Sequence, residues 1–146
     1  HYYIAILFLI TIIYKMIIYH PFQNIYFNNY FNKISHQNFE VDYDGLSGKK
    51  FLKEILALEK SKNIISIGVA SWYPLHRSVK LLDKKDREKI NIVGQEFQKA
   101  DYIYSNFTSE VDKNINDKYK IPSNFTTINK FILDNITVYE VFKKNK

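Results

Sequence analysis

Trp72-Tyr73-Pro74-Leu75-His76-Arg77 places two aromatic rings, an imidazole and a guanidinium in six consecutive positions. The segment directly follows Ile64-Ile65-Ser66-Ile67-Gly68-Val69-Ala70, the most strand-like run of the chain. Flat rings stack on sugars or isoprenoids, and a guanidinium holds a phosphate through paired N–H donors. Trp72, Tyr73, His76 and Arg77 are therefore the candidate substrate-binding residues. Open α/β sheets bind ligands just beyond the carboxyl ends of their strands, which is where this loop falls. A structural alternative stands beside this one: Trp72 and Tyr73 pack the sheet edge, and Arg77 reaches outward from a helix that starts at Pro74.

The remaining chemistry is sparse. Asp42 and Asp44 form a close acidic pair in Asp42-Tyr43-Asp44-Gly45, a spacing of interest for general acid–base work. Their composition favours an exposed turn, with Asp42, Tyr43 and Gly45 as its motif residues. No residue is read as catalytic. The absence of cysteine removes disulfides, thiolate nucleophiles and thiolate metal ligands. His1, His20, His36 and His76 include no pair at helical ligand spacing, so neither a metal nor a cofactor is expected. There is no glycine-rich phosphate loop and no nucleophile elbow. The net charge of +6 is spread over mixed clusters such as Lys84-Lys85-Asp86-Arg87-Glu88-Lys89. Such mixing suits a solvated surface and attraction to anionic headgroups rather than a nucleic-acid partner. Three Asn-x-Thr sequons, at Asn106, Asn124 and Asn135, arise easily in an Asn-rich chain and are not read as glycosylated.

These residues need a scaffold, and residues 1–19 organise it. Tyr2 to Tyr19 carries a single charge, Lys15, and reads as a transmembrane helix. A bilayer core takes roughly 20 mainly apolar helical residues, because backbone amides in lipid must bond within their own segment. Tyrosines near both ends suit the headgroup layers, and Lys15 lies close enough to the end to snorkel. A buried core helix and a secretory signal peptide are the competing readings. The latter lacks a basic leader and a small-residue cleavage site. The chain begins at His1 rather than Met and is read as the tail of a longer protein.

Pro21 disfavours helical geometry at His20 and ends the span there. Residues 20–37 read as an interfacial linker, with His20, Tyr26, Phe27 and Asn28 at the membrane interface; the alternative is that these aromatics form the near edge of a core. A soluble α/β domain follows at 38–146. Its expected elements are a strand over Phe39–Tyr43, a helix from a Ser47 cap to about Lys60, and the buried strand Ile64–Ala70. A helix from Leu75 to about Leu82 and short strands at Ile90–Gly94 and Lys99–Asn106 come next. The second of these strands presents Tyr102 and Tyr104 on one face and Ile103 on the other. A helix over Glu110–Tyr119 then leads to a C-terminal β-hairpin, Phe125–Leu133 and Ile136–Phe142, turning at Asp134-Asn135. The fold class is thus α/β, a central mixed sheet behind one transmembrane helix.

Two stretches resemble a known family. His20-Pro21-Phe22-Gln23-Asn24-Ile25-Tyr26-Phe27-Asn28 resembles the His-Pro-Tyr-Gln-x-x-Tyr-Phe-Asn element that follows the last membrane helix of multi-pass bacterial GT-C type glycosyltransferases, the dolichyl-phosphate-mannose mannosyltransferase-like group. Phe39-Glu40-Val41-Asp42-Tyr43-Asp44-Gly45-Leu46-Ser47 resembles that group's Phe-Glu-x-Asp-Tyr-Trp-Gly-Leu-Ser, with Asp44 in place of the tryptophan. The resemblance implies the final membrane helix and extracytoplasmic C-terminal domain of an enzyme of the cytoplasmic membrane. It implies a polyprenyl-phosphate-linked sugar donor and a catalytic acidic residue outside this chain. The implied partners are the lipid bilayer, upstream membrane helices, the lipid-linked sugar and an acceptor. A small membrane-anchored binding or scaffolding protein is the alternative.

Overall fold

The computed structural model describes residues 2–23, 42, 44–108, 116–133 and 135–145. An N-terminal apolar helix, α1 (Tyr2–Tyr19), is followed by a five-stranded mixed sheet with helices, an α/β arrangement. The mean hydropathy of α1 is 2.0, and Tyr19 is its only buried residue. This exposure differs from that of a soluble core helix; a helix of this kind serves as a membrane anchor or a signal sequence. The helix stops at Tyr19, and a cis His20–Pro21 peptide follows.

The next elements are α2 (Ser47–Leu58), β1 (Ile65–Val69), two single-turn helices α3 (His76–Val79) and α4 (Lys84–Arg87), and β2 (Ile90–Gly94). Then come β3 (Tyr102–Ser105), β4 (Phe125–Leu133) and β5 (Ile136–Lys144). The sheet order is β2-β1-β3-β5-β4. β1 is parallel to both β2 and β3, whereas β5 is antiparallel to both β3 and β4. A strand paired on both edges and covered on both faces must be nearly continuous in apolar residues, and Ile65–Val69 is.

The apolar stripe Phe51, Leu52 and Ile55 of α2 is fully buried against one face of the sheet, with Ile65, Ile67, Tyr102, Tyr104, Tyr139 and Val141. Ile103 points to the other face, in a smaller cluster with Ala70, Phe97, Ala100 and Phe125. The alternation of Tyr102, Ile103 and Tyr104 therefore follows the period-two pattern of the sequence. Phe22 joins the larger core, its ring 5.2 Å from that of Phe131 on β4. The near edge of the core thus begins three residues after α1, within the segment read as an interfacial linker.

Several expected elements differ. The Leu75–Leu82 helix is only His76–Val79, and a second turn forms at Lys84–Arg87, where a charged surface run was expected. Ser47 is not the cap of α2: it is the first helical residue, and its backbone N–H donates to Asp42 Oδ1 at 3.3 Å. The carboxylate five residues earlier satisfies the helix end from a distance. Of the expected Phe39–Tyr43 strand, only Asp42 is described, and it lies in a turn. Residues 116–119 form a 3-10 turn, and the rest of the expected Glu110–Tyr119 helix lies outside the described residues. The hairpin forms as expected, with Asn135 in the left-handed region at φ 66°.

Candidate functional site

β1 and β3 lie side by side and point the same way, but their continuations part: the chain after β1 leads to β2, and the chain after β3 to the β4–β5 side. Such a divergence at the strands' carboxyl ends is where open α/β sheets bind ligands. The two loops are stitched together there. Ser105 Oγ donates to the Ala70 carbonyl at 2.9 Å, and the Trp72 N–H donates to the Thr108 carbonyl at 2.8 Å.

The centre of this end of the sheet is Asp42, which has no exposed surface. Its Oδ2 accepts hydrogen bonds from Ser47 Oγ (2.6 Å), Asn106 Nδ2 (3.2 Å) and Tyr104 Oη (3.3 Å). The Asn106 amide also donates to the Asp42 carbonyl at 3.1 Å. This corrects the exposed-turn reading: the turn is present, but the aspartate points inward because three side chains and the first amide of α2 supply donors to offset its lost hydration. Burial pushes the Asp42 carboxyl up from its ordinary value, against the opposing pull of Ser47, Asn106 and Tyr104. Burial, reinforced by the Asp42 charge, holds the Tyr104 hydroxyl well above its usual range. Asp44, the other member of the acidic pair, is exposed.

Gly45 joins this turn to the candidate loop. Its φ is +64°, and a Cβ there would lie 1.9 Å from Tyr73 Cε2, so only glycine admits both the backbone and the overlying ring. Tyr73 is half-buried, and its hydroxyl is 3.2 Å from Ser78 Oγ on α3. The first turn of α2 closes the contact from the other side, since a Cβ on Gly48 would lie 2.4 Å from the same Ser78 oxygen.

The four predicted loop residues separate into distinct settings. Trp72 is 53% exposed beyond the end of β1, Tyr73 packs inward over Gly45, and His76 and Arg77 stand exposed on α3. Tyr26, Phe27, Asn28 and Tyr43 lie outside the described residues. His20 is exposed, with Gln23 Nε2 3.1 Å from its Nδ1.

Sequence reasoning missed Ser71, Phe107 and Thr108. Phe107 is 52% exposed with φ 61°, a conformation that costs a non-glycine residue on the order of 1 kcal/mol. Ser71 Oγ and Thr108 Oγ1 are buried without hydrogen-bond partners. The available signal is the stretch Ser105-Asn106-Phe107-Thr108 at the end of a buried strand, whose polar residues also spell a sequon. Asn106 is buried, and its amide is engaged by Asp42. Among the described residues no three His, Asp or Glu side chains converge as metal ligands.

No family model matches the chain, and neither the curated proteins nor the solved structures compared with it give a match.

Proposed function

We propose that this chain is a membrane-anchored α/β domain: the last membrane helix and the extracytoplasmic C-terminal domain of an integral-membrane glycosyltransferase. It uses a polyprenyl-phosphate-linked sugar donor. The domain caps a membrane-facing active site and helps position the acceptor, while the catalytic acid belongs to another part of the enzyme. The observation that carries the anchored reading is α1, eighteen apolar-rich residues of which 6% are buried, joined to the core by Phe22. The glycosyltransferase assignment is supported by the two sequence elements at His20–Asn28 and Phe39–Ser47. The exposed ring of Trp72, just beyond the carboxyl end of β1, is the place for a sugar or lipid to stack.

Extraction of membranes with alkaline carbonate tests the anchor: the chain stays with the bilayer, and its release intact, or as a shortened chain lacking α1, defeats the reading. Replacement of Trp72 and Arg77 by Ala in the full-length enzyme tests the site. Glycosyl transfer falls while the melting temperature holds, and a large loss of stability would make both residues structural instead. A non-catalytic membrane-anchored binding protein is the second reading. A full-length gene with several further apolar spans argues against it.

A further inference from the structure

We propose that the carboxyl end of the sheet is seated in the headgroup layer of the bilayer, with Trp72, Phe107 and Ile132 as its interfacial side chains and Lys49 and Arg77 against lipid phosphates. This rests on α1 being a membrane anchor, and it adds the orientation of the domain relative to that anchor.

The orientation follows from register. β3 and β5 are antiparallel, with Tyr102 opposite Lys143 and Ser105 opposite Glu140, so the carboxyl end of β3 lies toward the start of β5. Glu140 in turn faces Lys130, and the pairing continues to Leu133 opposite Ile136 at the hairpin turn. The hairpin turn and the carboxyl ends of β1 and β3 therefore share one end of the sheet. Phe22, three residues beyond α1, packs on Phe131, two residues before the end of β4. The apolar helix is thus attached at that same end. The beginning of α2 is there as well: Lys50 Nζ lies 4.8 Å from the Phe131 ring centroid, and Ser47 meets Tyr104.

Among the described residues, the large apolar side chains exposed along this end include Trp72 at 53%, Phe107 at 52%, Ile132 at 54% and Leu46 at 39%. Exposed rings and aliphatic chains beside the end of a membrane helix match the composition of an interfacial belt, where tryptophan is preferred. The charges fit the same layer. Lys49 and Arg77 are exposed at the neighbouring starts of α2 and α3, whereas Lys50 and Lys130 are paired with Glu54 and Glu140. Asp44 is the exposed acid on the adjoining turn. Cations at this depth gain from anionic headgroups.

The composition supplies its own probes, since Trp72 is the only tryptophan and there is no cysteine. The chain is reconstituted in vesicles of zwitterionic lipid containing anionic phosphatidylglycerol, and Trp72 emission is recorded with lipids brominated near the headgroup or near the acyl terminus. The expected result is a blue shift relative to detergent-free buffer standards and quenching that is strongest for the shallow bromine. A polarity-sensitive label on Ile132→Cys responds in the same way. A label on Asn124→Cys, at the other end of a strand about 27 Å long, remains aqueous. Lys49→Glu combined with Arg77→Glu weakens the shallow quenching as the anionic lipid is raised. Water-like, unquenched emission from Trp72 and from the Ile132 label, in a chain that still resists carbonate extraction, overturns this orientation and leaves the anchor intact. Carbonate release of the wild-type chain overturns both.

Discussion

Gly45 shows how narrowly one position can be determined. Alanine there must adopt φ +64° and place a methyl carbon inside the Tyr73 ring. Gly45→Ala is expected to cost about 2–4 kcal/mol, combining left-handed strain with overpacking, as a lowered denaturant midpoint. Tyr73→Ala in the same chain removes the steric part. The double variant therefore loses less than the sum of the single ones, and strict additivity would place the ring elsewhere. Asp42 makes a second prediction at this scale. Asp42→Ala removes the carboxylate that Ser47, Tyr104 and Asn106 share, while the Asn106 amide keeps the residue-42 carbonyl and Tyr104 keeps Ser47, and is expected to cost about 1–3 kcal/mol. Because the folded carboxyl titrates above its ordinary value of 3.8, the folded chain keeps a proton that the unfolded chain releases. Its contribution to stability is fully present below that value and is lost as pH rises through the raised folded value. Glu59 behaves oppositely. Its carboxyl is lowered by the Tyr102 hydroxyl and by Lys143, so its small contribution from near the surface is present above 4.5 and lost as pH falls. Denaturant unfolding across the acidic range isolates the Asp42 component as the difference from Asp42→Asn. A flat difference would mean that the buried carboxyl does not titrate abnormally.

At the scale of elements, the coupling of α1 to the sheet runs through two rings. Phe22→Ala and Phe131→Ala are each expected to destabilise the domain, and the pair to fall short of additivity by about 0.5–1.5 kcal/mol. Full additivity in a double-mutant cycle would show that the rings do not interact. The elements legible in the sequence were those with an internal period: the apolar stripe of α2, the continuous run of β1, the alternation at Tyr102–Tyr104 and the hairpin with its two-residue turn. The start of α2 was misread because its cap comes from Asp42, a residue outside the local window of any capping pattern. The helix after Pro74 was overestimated because its apolar residues, Leu75, Val79 and Leu82, are satisfied by a single turn and a bend. The position of the candidate loop was legible, since the strand run Ile64–Ala70 puts Trp72 beyond the carboxyl end of β1. Its interior was not, because Asp42, Tyr104 and Asn106 meet only across separations of more than sixty residues.

For the whole molecule, the parallel pairs β2-β1-β3 and the antiparallel hairpin share one core. Cutting the chain between Gly94 and Phe97 while leaving the pieces together is expected to abolish cooperative unfolding. The break would separate α2, β1 and β2 from the β3–β5 half that completes both clusters. Independent melting of two pieces would indicate separable units instead. The strand order also bears on how the protein is made. β5 lies between β3 and β4 yet comes after both in the chain. During synthesis the outer edge of β3 therefore stays bare, and β4 has no strand to pair with, until Ile136–Lys144 emerges. A nascent chain must hold that open edge away from its neighbours until the nine-residue strand β5 slides into place.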